Sequence, residues 1–522
     1  MAKRRKPAKP APPPVPPPRR FERTGRWLPY ILLAIAVISV FILQNFKVGF
    51  EKGHHGYLSS HGAAIAKNLS FGDRLLLFHA ATVSDDGMVA YQTYNRFPLF
   101  PFAVIKAAMF PFEPNLSLQV YAARQAMNVF LALAMFFAFL AVRELVEDPY
   151  LALAAVLVSF SSFYLLYYAD MVFNDVPALC GFTLAIFTAV KSRISGLKTR
   201  WVILAAIAAI SMGWQPYAVL GAWFIVDFVQ FLVNREGAFT RAFRRPAFIA
   251  LSAGILWGIA VLGLQSANEA SVMGRSIGDI DTINAMLFRI GAAGGGAYDQ
   301  YATVLQWSTY LRGQAERIVL VFSPAILASA AMADISRVHL SQFIILVLFA
   351  GGTAGIATSK KVRWKAAAIV LPISGFIWSI PMKHFVAFHD FQTIFYIGLP
   401  LAAFTGLLLF LPRKGMIVAA LLAVVFFVFN LNAMNLHKER IAGMVNPVTS
   451  EFEKIYAKVP RHSKVYIDGD RNTMGIGFHA VNFYLAGSYS SPLDKAEYVV
   501  SANPFYNSSR LTSNGHVNLF AK

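Results

Sequence analysis

Apolar residues along this chain come in long blocks separated by short polar connections, and none of the blocks shows the two-residue alternation of a membrane barrel strand. Many reach the roughly 17 to 25 residues that a helix needs to cross a hydrocarbon core about 30 Å thick. The pattern predicts spans near 27–46, 117–142, 150–168, 176–190, 201–215, 217–233, 247–265, 340–358, 366–381, 391–411 and 415–433. The predicted fold class is an all-α polytopic membrane protein of 11 transmembrane helices. Two further apolar stretches are short: "FPLFPFAVIKAAMFPF" (97–112), rich in Pro, and "IVLVFSPAILASAAMA" (318–333). Both are expected to be interfacial or re-entrant helices on the external face.

Charge changes this picture by giving it an orientation. The net charge of +20 sits in a tail and in short loops, so it is topological and implies no nucleic-acid partner. Residues 1–26 hold nine Lys and Arg and a proline tract, and are expected to be a disordered cytoplasmic tail that touches anionic membrane lipids. Four basic connections favour the cytoplasmic side: "KSRISGLKTR" (191–200), "NREGAFTRAFRRP" (234–246), "SKKVRWK" (359–365) and "PRK" (412–414). Eleven spans then put the N-terminus in the cytoplasm and the C-terminus outside, in an inner or plasma membrane. Residues 47–116, 169–175, 266–339, 382–390 and the tail from 434 fall outside. The expected organisation is the tail 1–26, a membrane domain 27–433 carrying the external loop 47–116, and a small α/β external domain 434–522, where "SKVYID" (463–468) and "EYVVSA" (497–502) read as strands. The one cysteine, Cys180, excludes an intramolecular disulfide.

Candidate chemistry gathers on the external side. The segment "LLYYADMVFNDVPALCGF" (165–182) places Asp170 and Asp175 between two spans, facing water. One reading is a solvated loop with Asp175 capping the next helix just before Pro177. The other is that both acids line a site with groups of the first external loop. In that loop His54, Tyr57 and His61 share a helical face at spacings of three and four, beside His55, and Arg96 precedes Pro98 at the edge of the apolar stretch. An Arg at headgroup level pairs with phosphate through two parallel hydrogen bonds, or else snorkels as an interface anchor. Lys383, His384 and His389 form a second basic group in "PMKHFVAFHDFQTIFYIGLP" (381–400).

The order of these features resembles the GT-C polyprenyl-phosphate-sugar-dependent membrane glycosyltransferases of the aminoarabinose and mannosyl transferase type. The features are Glu51 after the first span, "AKNLSFGD" (66–73), "YNRFPLFPF" (94–102) and "FNDVPALCGF" (173–182), and the resemblance covers roughly residues 27–265. It implies transfer of a hexosyl or pentosyl group from a polyprenyl-phosphate donor to a lipid, glycan or protein acceptor on the external face, in a single inverting displacement. The sequence departs from the family at the first-loop acid, where His54 and His55 stand and Glu51 is the nearest carboxylate. The base is then Glu51, or a histidine, His54 or His55, or one of Asp170 and Asp175. The resemblance also implies that Asp170 or Asp175 orients the acceptor or a divalent cation, Mg²⁺ or Mn²⁺, and that Arg96, with Lys383, His384 and His389, holds the lipid phosphate.

Other classes fit less well. "RIGAAGGGAYDQY" (289–301) lacks the Lys-Ser/Thr of a nucleotide-binding loop, and no HExxH or Cys/His spacing supports a zinc site. The rivals are a flippase for lipid-linked saccharides, which calls for charged residues and broken helices at the membrane midplane, and a noncatalytic envelope-assembly protein. The topology has a direct check: a cysteine placed at Thr473 is modified by an impermeant reagent from outside and one at Ser195 is spared, and the reverse pattern would end the assignment.

Overall fold

The structure, a computed structural model, describes residues 20–43, 53–69, 80–84, 87–90, 99–113, 115–234, 243–273, 305–324, 336–387, 389–442, 458–460, 463–468, 489–490, 493–501, 509–513 and 518–521. Helix covers part of every predicted span. Five helices are long and apolar enough to cross a membrane unaided: Leu116–Val146, Asp175–Ile194, Pro216–Val233, Pro246–Asn268 and Arg413–Lys438. The other helices have shorter apolar stretches among the described residues, such as Trp27–Leu43 and Ile344–Thr358.

In chain order the first three helices are α1 (Arg20–Leu43), α2 (Gly53–Asn68) and α3 (Leu99–Met109). α3 corresponds to the Pro-rich stretch and buries Phe102, Ile105 and Met109 against α4 (Leu116–Val146), while Phe100 and Phe110 stay exposed. Asn115 starts α4 by accepting the Leu118 N–H at 3.0 Å. Asp148 starts α5 (Pro149–Phe160) by accepting from Tyr150 and Leu151 at 2.9 and 3.0 Å, with Pro149 at the first helical position.

The predicted span 150–168 is not one helix. It breaks after α5 and resumes as α6 (Phe163–Tyr168). Serines cause the break: Ser159 and Ser161 hydroxyls donate back to Ala155 and Leu157 carbonyls at 2.7 Å each, and Ser162 caps α6 through the Leu165 N–H. Then come α7 (Asp175–Ile194), α8 (Thr199–Ile210), α9 (Pro216–Val233), α10 (Pro246–Met273) and α11 (Trp307–Phe322). α11 begins well before the predicted interfacial stretch, and residues 325–333 of that stretch lie outside the described residues. After α12 (Ser336–Thr358) and α13 (Ala367–Ser379), a short helix α14 (Lys383–Val386) and a 3-10 segment (Asp390–Ile397) lead into α15 (Gly398–Leu408). The last helix, α16 (Arg413–Ala442), continues about two turns beyond the predicted end of its span at 433.

Charged side chains collect at two ends of this bundle. At one end Glu144 of α4 lies 3.0 Å from Lys191 and 3.5 Å from Arg363, and accepts from Ser195. Close by, Asp227 of α9 lies 3.4 Å from Arg193, and its backbone carbonyl accepts from Arg245 at 3.2 Å. Three of the basic connections, 191–200, 234–246 and 359–365, therefore meet there. Arg124 and Asp175 lie twenty residues back along α4 and α7 respectively, about 30 Å at 1.5 Å per residue, which is one hydrocarbon thickness.

A seven-stranded mixed sheet has the order β2-β1-β4-β3-β5-β7-β6. The strands are β1 (Ala80–Ser84), β2 (Gly87–Ala90), β3 (Lys464–Asp468), β4 (Tyr489–Ser490), β5 (Tyr498–Ser501), β6 (Ser509–Ser513) and β7 (Asn518–Ala521). The strands expected in the C-terminal tail are there, yet the sheet also takes in a hairpin from the 47–116 segment, because β1 pairs in parallel with β4.

α2 sets the geometry next to the acidic junction. Gly62 packs so closely on the 169–174 segment that a Cβ there would lie 2.0 Å from the Val172 carbonyl oxygen. Lys106 of α3 donates to the Lys67 carbonyl at 3.0 Å and holds the far end of α2. Gly62→Ala should force α2 off the junction and lower the unfolding midpoint in detergent, at a cost of roughly 1–3 kcal/mol. Gly263→Ala, where an added Cβ meets nothing within 4 Å, should leave the midpoint unchanged or raise it. Equal behaviour of the two variants would contradict the docking.

Candidate active site

The segment between α6 and α7 is not the solvated loop that its two acids suggest. All six residues from Ala169 to Asn174 are buried, Asp170 is 1% exposed and Asp175 is 5% exposed. The cause is cover from distant segments: α2 lies on Val172, α16 reaches Asp170, and the 3-10 segment reaches Asp175.

Asp170 is held by two cations. Lys438, near the end of α16, donates from Nζ to Oδ1. The Arg124 guanidinium of α4 lies 3.7 Å from Oδ2 and bonds the Asp170 carbonyl at 3.5 Å. Both cations are themselves buried, so the ion pairs act with little water between them.

Asp175 sits in the first turn of α7, but the cap position belongs to Asn174, which makes no side-chain capping hydrogen bond. The Asp175 Oδ1 accepts instead from Nε2 of Gln392 at 2.6 Å. Gln392 Oε1 in turn accepts from Trp378 Nε1 at 2.8 Å and Gln215 Nε2 at 3.2 Å.

The second basic group immediately precedes the 3-10 segment, whose first turn closes with the Gln392 N–H on the His389 carbonyl at 3.1 Å. Lys383 donates to the Leu305 carbonyl at 2.8 Å and stands 4.3 Å from the centre of the Trp307 ring. His389 Nδ1 is 2.7 Å from the Phe385 carbonyl, and its ring lies against Phe385 at 4.4 Å. His384 is half-buried on α14. Arg317 of α11 donates to the Val386 and Ala387 carbonyls at 2.5 and 2.8 Å and fixes the end of α14. Beside it, burial pushes the Tyr310 phenol well up from its ordinary value, and its hydroxyl donates to the Ser379 carbonyl at 2.7 Å.

Glu51 and Arg96 lie outside the described residues. His54 and His55 fall on α2, with side chains outside the described residues, and His61 on the same helix is 2% exposed. Asp170, ion-paired to Lys438 and Arg124, does not fit the role of a divalent-cation ligand, and among the described residues no three His, Cys, Asp or Glu side chains gather. Sequence reasoning missed Arg124, Lys438, Gln215, Trp378 and Gln392. Arg124 had a readable signal, a cation inside the apolar span 117–142.

Compared by structure, the chain aligns with ArnT from Cupriavidus metallidurans in the apo state at a TM-score of 0.58, with 11% identity over 96% of this chain and 98% of that one. The fold is the GT-C fold. The oligosaccharyltransferase of Archaeoglobus fulgidus aligns at 0.44, with 11% identity over 92% of this chain and 70% of its own. The mycobacterial arabinofuranosyltransferase AftD aligns at 0.45, with 12% identity over 95% of this chain and 40% of its own. Compared by sequence, the chain matches no family model and no curated protein.

Within this GT-C chain the Asp170 pairing is open to a double-mutant cycle. Lys438→Met leaves a buried carboxylate short of one cation and should cost about 3–5 kcal/mol, read as a fall in the unfolding midpoint. Adding Asp170→Asn should restore much of the loss; a double variant no more stable than Lys438→Met would refute the coupling.

Proposed function

We propose that this protein is a membrane glycosyltransferase that moves a sugar from a polyprenyl-phosphate donor to a hydroxyl acceptor on the external face of the membrane. The observation that carries the reading is Asp175. It is a buried carboxylate held by an amide donor at the end of a GT-C bundle, about one membrane thickness from the basic belt. The basic connections favour the cytoplasm, which puts Asp175 outside. The described charges gather at the two ends of the bundle, a pattern that suits surface chemistry better than the passage of a lipid.

The reaction is a single inverting displacement. The acceptor oxygen attacks the anomeric carbon as the bond from that carbon to the phosphate oxygen breaks. The bonding pair leaves with the polyprenyl phosphate, and the acceptor proton passes to a base. Asp175 takes the proton, or orients the acceptor for Glu51, His54 or His55. Asp170 fixes the junction on which Asp175 stands. Arg96, with Lys383, His384 and His389, meets the departing phosphate, where positive groups lower the barrier by stabilising the developing charge. Lys383 reaches that phosphate by leaving the Leu305 carbonyl and the Trp307 ring. The sugar is a hexose or a pentose, and the acceptor a lipid, a glycan or a protein.

Purified protein should release polyprenyl phosphate from a polyprenyl-phosphate sugar when supplied with acceptor, and Asp175→Asn should lose on the order of 10²–10⁴-fold of this rate. Asn keeps the shape and an oxygen for Gln392 to bond, so the variant should melt near the parent temperature. Undiminished release by Asp175→Asn would remove Asp175 from the chemistry.

A further inference from the structure

We propose that Gln392 is a positioning residue for Asp175, locked by Trp378 and Gln215 so that only its N–H end can face the carboxylate. This rests on the reading of Asp175 as the reacting carboxylate. An indole N–H can donate but never accept, so the Gln392 atom 2.8 Å from Trp378 Nε1 is the amide oxygen. Gln215 Nε2 donates to the same oxygen at 3.2 Å. The other end of the amide is then NH₂, and it meets Asp175 Oδ1 at 2.6 Å.

All four residues are buried, with exposures of 2% for Gln392, 5% for Asp175, 6% for Gln215 and 8% for Trp378. They come from four separate elements: the start of α7, the cap of α9, the end of α13 and the 3-10 segment. Close packing leaves them little room. A Cβ at Gly213 would stand 2.4 Å from the Ala178 side chain and 2.9 Å from Gln215 Oε1, and one at Gly375 would stand 2.7 Å from the Tyr396 ring. A buried amide bonded at both ends has one orientation, and flipping it would leave an indole donor facing an amide donor.

The donor is also of a particular kind. Asp170 is fixed by cations, whereas Gln392 offers Asp175 an uncharged N–H. A neutral donor fixes the direction of a carboxylate without itself cancelling the negative charge. That charge is what a proton acceptor needs, and what faces positive charge developing at an anomeric carbon.

Two substitutions separate positioning from packing. Gln392→Glu keeps the shape and the oxygen that accepts from Trp378 and Gln215, and sets a second carboxyl against Asp175; the two then share one proton, so that Asp175 keeps a hydrogen-bond partner but no longer stands as a free carboxylate. Gln392→Leu removes all three hydrogen bonds. Positioning predicts that Gln392→Glu loses at least as much kcat as Gln392→Leu, on the order of 10²-fold, with KM for a polyprenyl-phosphate sugar nearly unchanged. A packing role predicts a mild Gln392→Glu and a severe Gln392→Leu, and that order would overturn the proposal. Asp175→Asn in the same assay tells the two readings apart: if it is inactive while Gln392→Glu matches the parent, the positioning role alone falls; if it is fully active, the assignment of Asp175 falls. A cryo-EM structure of Gln392→Leu gives a readout independent of activity. The Asp175 carboxylate should turn away from its parent position, and an unmoved carboxylate would refute the proposal.

Discussion

A carboxylate that is 1% exposed at the end of an apolar bundle is tolerable only where cations reach it, and the arrangement around Asp170 meets that condition from both halves of the chain. Arg124 comes from about two turns inside the predicted span of α4, and Lys438 from near the end of α16, past the predicted end of its span at 433. Because both must touch one residue, α4, α16 and the junction before α7 are fixed against each other. α2 then has a defined surface to lie on, with Gly62 against Val172.

Two acids five residues apart thus meet different kinds of partner. Asp170 is tied into a charged cluster whose members hold one another. Asp175 is held by a chain of uncharged donors that ends in an indole ring. Within the proposed reaction the first acid is structural and the second chemical, a division that residue type alone does not reveal, since both are aspartates in the same short connection.

Much of the membrane layout was legible because long apolar blocks have few alternatives to crossing or lining a bilayer. The break at Ser161 and Ser162 was not legible, because two serines in an apolar run lower its hydropathy little while offering the backbone new partners. The burial of the junction was hidden for a different reason: its partners Gln392 and Lys438 lie 217 and 268 positions further along, beyond any local pattern. Lys438 also sits in the run "HKER", where it reads as surface; only its place eight residues after the buried Asn430, on the same face of α16, marks it as inward. The resemblance to the GT-C transferases holds for the fold, while the "GD" turn, Glu51 and Arg96 that helped to suggest it lie outside the described residues.

The sheet joins Val83 to Tyr489, two residues made at nearly opposite ends of synthesis. Until the later strand arrives, the β1 edge of the hairpin is unpaired, and an unpaired edge is a template that other chains, proteases and chaperones can bind by adding a strand. A polypeptide stalled after its last membrane helix would have every span inserted and that edge still open. The sheet therefore closes only once strands made after the last helix α16 have reached the early hairpin, so that its closure reports that the two ends of the helical bundle's sequence have met.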